Sequence, residues 1–237
     1  MLRNLKFFIV GLCCLSLSAL GSSLEISPVR VELNAKQRIE VITLVNRGDA
    51  PITLQSQIKK WQQTAGKDVY SMTTDLLVTP PIVTIQPNKA QVLRVGLKAV
   101  ASPQQELSYR LFITEIPQKQ ISAEQTSKIR IVSRIGIPIF VTSTTAGKSA
   151  WNWQARREDQ NLELSLNNPS NRHIKLNNLT IRGADKVILF HSGQAQYVLP
   201  RQTVQWSFPL PKTSAAPQNF FIEAITDKGR LSSQVSA

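Results

Sequence analysis

The sequence predicts an all-β protein built from two consecutive β-sandwich domains, and three observations support this fold class. Short segments in which apolar and polar residues alternate recur along most of the chain, separated by clusters of turn-forming residues. No segment shows the 3.6-residue apolar period of an amphipathic helix. Residues 142–150 are rich in Thr, Ser, Ala and Gly and lack any alternation, which predicts a linker that divides the strands into two sets.

The composition excludes several classes of protein. With 42% hydrophobic residues in a chain of 237, there is enough apolar material for a folded core. Two cysteines and two histidines are too few for a zinc finger, a Cys/His metal cluster or a disulfide scaffold. The formal charge is +13, but the basic residues are scattered without aromatic residues between them, so we do not expect nucleic-acid binding. No apolar run reaches the roughly 18 residues of a membrane span, so no membrane insertion is expected.

Residues 1–21 show the order of features found in a secretory signal peptide. Arg3 and Lys6 give a basic start, residues 7–20 are apolar, and small residues end the segment at Gly21. We predict export with cleavage after Gly21, which also removes both cysteines. A buried N-terminal helix is the alternative.

Residues 22–141 are predicted to form the first sandwich. Its first strand alternates Val29, Val31 and Leu33 with Arg30 and Glu32, which indicates one buried and one exposed face. The other predicted strands cover residues 38–45, 52–61, 91–97, 108–116 and 129–141. A Thr-Pro-Pro sequence at 79–81 interrupts the series, and a cis peptide bond is compatible with it.

Residues 151–237 are predicted to form the second sandwich. Its strands are expected around Trp151 and Trp153 and at residues 162–166, 173–176, 186–190, 204–208 and 220–225. The two parts have about 120 and about 90 residues, so each is near the size of one immunoglobulin-like sandwich.

The sequence offers no recognisable set of catalytic residues. It has no phosphate-binding Gly-rich loop, no Gly-x-Ser-x-Gly elbow and no His-Glu-x-x-His motif. His173 and His191 lie in different strand-like segments without an Asp or Ser pattern beside them, which favours structural or surface roles. We therefore expect a protein that is not an enzyme; an exported hydrolase is an alternative that these absences disfavour.

A stripe of isoleucines marks the last predicted strand of the first domain. The isoleucines occupy odd positions, whereas Arg130, Arg134 and Pro138 occupy even ones. Pro138 cannot donate a backbone hydrogen bond to a neighbouring strand, which predicts an edge strand. The stripe either fills the protein's own core or is offered in part to another chain by strand addition. Its members are Ile129, Ile131, Ile135, Ile137 and Ile139.

Glu115 is a second unusual residue in the predicted strands. It shares its parity with Tyr109, Leu111 and Ile113 and is therefore expected to point toward an apolar face. A buried carboxylate needs a cation or hydrogen-bond donors nearby. The alternative is a solvent-facing residue at the end of its strand.

A series of short motifs follows in order over nearly the whole chain after residue 21. In the first domain these are Val45-Asn46-Arg47-Gly48 with Pro51, Thr79-Pro80-Pro81, Gln86-Pro87, Leu93-Arg94-Val95, and the run from Tyr109 to Pro117. In the second domain they are Leu166-Asn167-Asn168-Pro169-Ser170, Leu199-Pro200, and the run from Ala224 to Gly229. Together these motifs resemble the PapD-like family of periplasmic pilus-assembly chaperones.

The resemblance implies two immunoglobulin-like domains arranged around a cleft, and a periplasmic chaperone of the chaperone–usher pathway. Such a chaperone inserts the last strand of its first domain into a pilus (fimbrial) subunit that lacks a strand. A basic anchor in the cleft holds the subunit's C-terminal carboxylate, and an outer-membrane usher then receives the complex. Neither ATP nor another cofactor takes part.

The resemblance also implies roles for particular residues. Arg30 matches the arginine of the carboxylate anchor, but Gly136 stands where the family usually has the anchoring lysine. Arg110 or Arg134 would have to replace that lysine. Tyr109-Arg110 and the Ile-Gly-Ile-Pro-Ile run starting at residue 135 resemble the archaic branch of the family.

Two further groups of residues are carried over from the family. Ile129 and Ile131, with Ile135 as the next position, match the part of the donor strand that enters the subunit. Arg94, Glu115 and Asp227 match a salt-bridge network that joins the two domains, which would supply the partner that Glu115 requires.

An exported pilus subunit or adhesin is the alternative function. Such a protein is usually a single domain, often with a disulfide, and has an unpaired N-terminal extension with alternating apolar residues. The chain after Gly21 has no cysteine, two apparent domains and no such extension.

Overall fold

The computed structural model describes residues 24–98, 103–117, 132–142, 150–210 and 218–237. These residues form eighteen strands and no helix. No helix long and apolar enough to cross a membrane occurs in this part of the chain. Two peptide bonds are cis, at Ser27–Pro28 and at Thr79–Pro80.

The first sandwich contains ten strands in two sheets. The strands are β1 (Leu24–Ser27), β2 (Val31–Leu33), β3 (Ile39–Asn46), β4 (Ile52–Thr64), β5 (Lys67–Met72), β6 (Leu76–Thr79), β7 (Ile82–Ile85), β8 (Ala90–Leu97), β9 (Leu107–Ile116) and β10 (Arg134–Val141). One sheet has the order β1-β3-β8-β6. The other has the order β2-β10-β9-β4-β5, with β7 also paired to β4.

The core of this domain lies between the two sheets, as the alternating pattern predicts. Val31, Leu111, Ile137 and Ile139 point inward and are at most 2% exposed. Val29 differs from the prediction and is 72% exposed, because the strand begins only at Val31.

Strand β10 has one fully paired edge and one largely free edge. It pairs antiparallel with β9 over its whole length, from Arg134 opposite Thr114 to Val141 opposite Leu107. On its other side β2 pairs only with Ile139, Phe140 and Val141. Among the strands that the structure describes, none pairs with the other edge of residues 134–138. Pro138 therefore lies in an edge segment, as its missing N–H predicts.

The second sandwich contains eight strands, also in two sheets. The strands are β11 (Asn152–Glu158), β12 (Asn161–Asn167), β13 (Ile174–Gly183), β14 (Ile188–Ser192), β15 (Gln196–Val198), β16 (Thr203–Pro209), β17 (Asn219–Thr226) and β18 (Gly229–Ser236). One sheet has the order β11-β12-β16 and the other β14-β13-β17-β18, with β15 paired to β13. Leu162, Leu164, Ile181 and Phe220 are fully buried between them.

Candidate functional site

An aromatic cluster joins the two domains at the base of the cleft. Trp61 of β4 and Phe140 of β10 are buried together with Leu199, which follows β15 in the second domain. Tyr70 and Tyr197 pack against them, with the Tyr197 ring edge-on to Trp61 at 5.3 Å between centroids. Apolar side chains from both domains therefore share one buried surface, which ties the domains together.

Gln63 connects the domains by hydrogen bonds beside this cluster. Its Oε1 accepts a hydrogen bond from the backbone N–H of Leu199 at 2.9 Å. Its Nε2 donates to the backbone carbonyl of Tyr197 at 2.9 Å and to Asp68 Oδ1 at 3.0 Å. Gln63 is buried, so loss of these bonds would leave a buried amide unsatisfied.

Glu106 and His173 form a second connection between the domains. The Oε1 atom of Glu106 lies 2.7 Å from His173 Nδ1 and accepts the His173 backbone N–H at 3.0 Å. The Glu106 backbone N–H donates to the carbonyl of Asn171 at 3.0 Å. The His173 ring stacks on Phe140 with 3.7 Å between centroids. The end of β10 is thereby held against the second domain.

Arg30 lies at the domain boundary and is paired with acidic residues. Its Nη1 donates to Asp227 Oδ2 of the second domain at 2.9 Å, and its Nη2 lies 3.1 Å from Glu32 Oε1. The side chains of Arg30 and Asp227 are 39% and 23% exposed, so the pair remains accessible to solvent.

Arg110 lies flat against aromatic rings without an acidic partner among the described residues. Its Cζ is 4.0 Å from the centroid of Trp61 and 5.8 Å from that of Tyr70. Its Nε is buried and has no hydrogen-bond partner within the same residues. Cation–π stacking holds the guanidinium in place and leaves its charge uncompensated.

Gly136 provides the space that Arg110 occupies. A Cβ atom at position 136 would be 3.0 Å from Arg110 Cδ and 3.5 Å from Phe112 Cε1. Contacts of 3.0 Å are closer than ordinary van der Waals contact, so a larger residue would push Arg110 aside. Gly136 therefore lies next to Arg110, one of the two arginines that we expected to substitute for the family's lysine.

Arg134 is stacked in the same way further along the sheet. Its Cζ lies 4.1 Å from the centroid of Phe112, and the Phe112 ring meets Tyr70 edge-on at 5.1 Å. The Tyr70 hydroxyl donates to Asp68 Oδ2 at 3.0 Å. Burial and the Asp68 carboxylate raise the pKa of Tyr70 to about 12, although the charges of Arg110 and Arg134 act to lower it. Both arginines thus act on the same phenol.

Tyr197 lies within the electrostatic reach of two of the three predicted anchor arginines. Burial raises the pKa of Tyr197 above its usual value, and the charges of Arg30 and Arg110 oppose this rise. The Asp227 carboxylate, like burial, raises the pKa of Tyr197. The charges of Arg30 and Arg110 therefore both act on Tyr197, while Arg134 lies over Phe112.

The structure does not assemble the predicted network of Arg94, Glu115 and Asp227. Among the described residues, the ion pair of Asp227 is with Arg30, and no ion pair joins Arg94 or Glu115 to it. Arg94 lies on β8 between buried Leu93 and Val95 and faces outward from the four-stranded sheet.

Glu115 belongs to the opposite sheet of the sandwich. It pairs with Leu54 on β4, is half-buried near the end of its strand, and its backbone N–H donates to Ser133. An outward-facing chain of one sheet cannot reach the other sheet across the core, which explains why Arg94 and Glu115 stay apart. The predicted inward face of the Glu115 strand is confirmed, because Tyr109, Leu111 and Ile113 on that face are at most 1% exposed.

The predicted donor-strand residues fall partly outside the described residues. Ile129 and Ile131 lie in the undescribed range 118–131. Ile135 is half-buried opposite Ile113 and packs on the edge of the core. Ile137 and Ile139 belong to the core itself, as expected for the end of the strand near the linker.

Several residues of the site carry no signal in the sequence. Glu106 and His173 are 67 residues apart and Gln63 is 136 residues from Leu199, so no local pattern indicates that they meet. One hint was available for His173, because it is one of two histidines and lies beside an apolar segment.

Comparisons with known proteins agree with this architecture. The family signature described as "Pili and flagellar-assembly chaperone, PapD N-terminal domain" matches residues 23–145. The signature described as "Pili assembly chaperone PapD, C-terminal domain" matches residues 148–236.

Individual relatives are more distant. The "Probable fimbrial chaperone LpfB" of Escherichia coli O157:H7 is 27% identical over 127 residues, which are 53% of this chain and 52% of that protein. The chain thus spans about half the length of this curated relative.

Solved structures share the fold at low sequence identity. A chain of the CsuC–CsuE chaperone–tip adhesion subunit pre-assembly complex, from the archaic chaperone–usher Csu pili of Acinetobacter baumannii, superposes with a TM-score of 0.68. The two are 22% identical, and the match covers 90% of this chain and 98% of that one. The E. coli chaperone DraB gives a TM-score of 0.60 at 21% identity and covers 91% and 95% of the two chains. With both halves matched by its signatures, this chain belongs to the PapD-like family of pilus-assembly chaperones.

Proposed function

We propose that this protein is a periplasmic chaperone that folds and caps pilus subunits by donor-strand complementation and delivers them to an outer-membrane usher. The observation that carries the proposal is the edge of β10. Among the described residues, no strand pairs with the outer edge of residues 134–138, and the two stacked arginines beside it have no acidic partner. The names of the relatives, a fimbrial chaperone and a chaperone–tip subunit complex, point in the same direction.

The free edge of β10 would bind the subunit through its backbone. An incoming strand gains main-chain hydrogen bonds along residues 134–138, while alternate side chains of the donor strand enter pockets of the subunit. We assign this second role to Ile129, Ile131 and Ile135. The inward parity of Ile135 supports the assignment, because it continues the row of Ile137 and Ile139 beyond the chaperone's own core.

The anchor for the subunit's C-terminal carboxylate would be built from Arg110 and Arg30. Arg110 is the better donor, since stacking on Trp61 fixes its guanidinium and no carboxylate among the described residues occupies it. Arg30 is already paired with Asp227 and Glu32, so a subunit carboxylate would join or displace one of those contacts. A carboxylate that accepts from two guanidiniums gains charge-assisted hydrogen bonds.

The family is one of chaperones that act in the periplasm, and we propose that this chain catalyses no reaction and uses no cofactor. We also propose that residues 1–21 direct its export and are removed after Gly21. N-terminal sequencing of the exported protein should begin at Ser22; a protein that keeps Met1 and stays in the cytoplasm would contradict this route.

Co-expression tests the function. The chain would be produced with small exported β-proteins encoded next to its gene, and the soluble periplasmic fraction would be examined for a one-to-one complex. We expect a subunit that is soluble only in the presence of this chain. If the exported subunits are soluble and assembled without it, and none binds it, the proposed function is wrong.

The alternative, a structural pilus subunit or adhesin, predicts a different result in the same experiment. A subunit would itself require a chaperone for solubility. Purification of the chain alone, as a soluble two-domain monomer or dimer, would therefore favour the chaperone.

A further inference from the structure

The outward face of the six-stranded sheet carries a row of stacked aromatic rings and guanidiniums. Its members lie on β4, β5, β9 and β10 and are Trp61, Arg110, Tyr70, Phe112 and Arg134. Arg110 at one end faces the base of the cleft, and Arg134 at the other end lies on the free edge of β10. The carboxylate anchor uses only the first end.

Arg134 has the properties of an unfilled anion site. Its guanidinium is stacked on Phe112 at 4.1 Å, which restricts its motion. No ion pair engages it among the residues that the structure describes. The Asp68 carboxylate, which contacts Tyr70 in this row, is already hydrogen-bonded to Tyr70 and Gln63. A pre-oriented arginine with a free fork is well suited to a carboxylate.

The spacing of the two arginines defines a register for a bound strand. Arg110 lies opposite Pro138 and Arg134 lies opposite Thr114, so four residue steps along the sheet separate them. At roughly 3.4 Å per residue this corresponds to about 14 Å. A strand on the edge of β10 that places its terminal carboxylate at Arg110 would therefore place the side chain about four residues earlier near Arg134. Even spacing keeps that side chain on the same face of the sheet.

We propose that Arg134 is a specificity-determining residue that binds an acidic side chain about four residues before the C-terminus of the client. This inference rests on the proposed function, since it assumes that a client strand lies along β10. Client selection would then use two anionic groups, the terminal carboxylate and one Glu or Asp side chain, at a fixed separation.

Four synthetic peptides test the proposal. Each is a soluble, Ser- and Thr-rich peptide of about ten residues with a fluorescent N-terminal label. The fifth residue from the end is Glu or Gln, and the C-terminus is a free carboxylate or an amide. Binding to the purified chain is measured by fluorescence anisotropy at low salt and again at high salt, where a partly exposed ion pair is screened.

We expect the wild-type chain to bind the Glu peptide about three- to fivefold more tightly than the Gln peptide, which is typical of a partly exposed ion pair. Arg134→Gln should remove this preference and keep the preference for the free carboxylate. Arg110→Gln should remove the preference for the free carboxylate and keep the preference for the Glu peptide. Arg47→Gln, which makes the same charge change on the other sheet, should alter neither.

The outcomes separate the two proposals. A Glu preference that is absent in the wild type, or unchanged in Arg134→Gln, overturns the role of Arg134. Equal binding of the carboxylate and amide peptides with the Glu preference intact supports Arg134 and contradicts the carboxylate anchor of the proposed function.

Discussion

At the scale of single residues, a glycine determines how Arg110 lies in the cleft. Gly136 leaves room for the arginine side chain to pass along β10 and stack on Trp61. A lysine at this position would supply a charge of its own but would displace Arg110. Under the proposed function, Arg110 on the neighbouring strand would supply the cation instead.

Gly136→Ala should weaken client binding while leaving the fold intact. The added Cβ would be 3.0 Å from Arg110 Cδ, so the arginine side chain must shift by a few tenths of an ångström, which disturbs its stacking on Trp61. We expect about a tenfold loss in affinity for the subunit, because a charge-assisted hydrogen bond is worth about 1.5 kcal/mol or more. Gly193→Ala is the control, since nothing lies within 4 Å of its Cβ position. Equal affinities for the two variants would show that the position of Arg110 does not matter.

All three tyrosines of the chain should resist ionisation in the folded state. Burial is the main cause for each; the pKa of Tyr70 is raised to about 12, and the pKa values of Tyr109 and Tyr197 are also raised. Raised values favour the protonated folded state, so this stability is present below pH 10 and is lost as the pH rises through the folded-state pKa values. Absorbance titration should show almost no phenolate at pH 10 in the folded protein and about half ionisation in guanidinium. Half ionisation of the folded protein at pH 10 would contradict the burial of these hydroxyls.

The sequence predicted which faces Arg30 and Arg110 occupy better than it predicted their partners. Alternation placed Arg30 and Arg110 on faces opposite to the core, and the structure brings both near Tyr197. It could not show that Asp227 pairs with Arg30, because the two are 197 residues apart. For Arg94 and Glu115 the sequence showed which face of its strand each side chain occupies. It did not show which sheet each strand joins.

At the scale of elements, the end of β10 belongs to the core of the first domain, and the beginning of β10 has the edge that we propose pairs with a client strand. Ile137 and Ile139 are buried in the core, whereas Ile135 is half-buried at its margin. Pairing with β2 begins only at Ile139, and no strand in the described part of the chain pairs with the edge before it.

Substitutions along this strand should separate folding from binding. Ile137→Ala or Ile139→Ala should each lower the free energy of unfolding by about 2–5 kcal/mol, the usual loss for a buried isoleucine. Ile129→Ser combined with Ile131→Ser should leave the melting temperature nearly unchanged and abolish recovery of the subunit. Melting curves and co-purification measure the two effects. The donor-strand assignment is wrong if the Ser pair unfolds the free protein and the Ala variants do not.

Alternation predicted most strands that have a buried face, but β1, β5, β6, β7, β15 and β18 were not predicted. In residues 52–61 and 108–116, apolar residues that share one face of the strand meet the core, namely Leu54, Ile58, Tyr109, Leu111 and Ile113. Strand β5 was missed, since Lys67–Met72 is an edge hairpin strand with nearly every side chain exposed. Strand β4 also extends three residues beyond the predicted end, to Thr64, where it pairs with β5.

At the scale of the whole molecule, the domain arrangement depends on a mixed polar and aromatic interface. The contact between Glu106 and His173 is almost fully buried, whereas the ion pair between Arg30 and Asp227 is partly exposed. The buried contact should therefore contribute more to holding the domains, because solvent screens the other.

Glu106→Ala should destabilise the protein far more than Arg94→Ala. Removal of the Glu106 carboxylate leaves the buried N–H and ring nitrogen of His173 without their partner. Breaking a buried pair in this way costs about 3–5 kcal/mol, whereas an exposed arginine without an ion pair costs about 0.5 kcal/mol or less. Chemical denaturation measures both, and small-angle scattering of Glu106→Ala should show a wider range of domain angles. If Arg94→Ala lowered the free energy of unfolding as much as expected for Glu106→Ala, Arg94 would have a structural role after all.

The central claim, that β10 completes a client's fold through its free edge, is tested most directly by hydrogen exchange. The exchange of backbone amides in residues 132–137 would be compared between the free chain and its purified complex with a co-expressed subunit. We predict that the amides directed away from β9 exchange at least about tenfold more slowly in the complex, because they become hydrogen-bonded to the subunit's strand. Strand β1, on the opposite sheet, should exchange at the same rate in both. Unchanged exchange in residues 132–137, with new protection elsewhere on the chain, would contradict the claim.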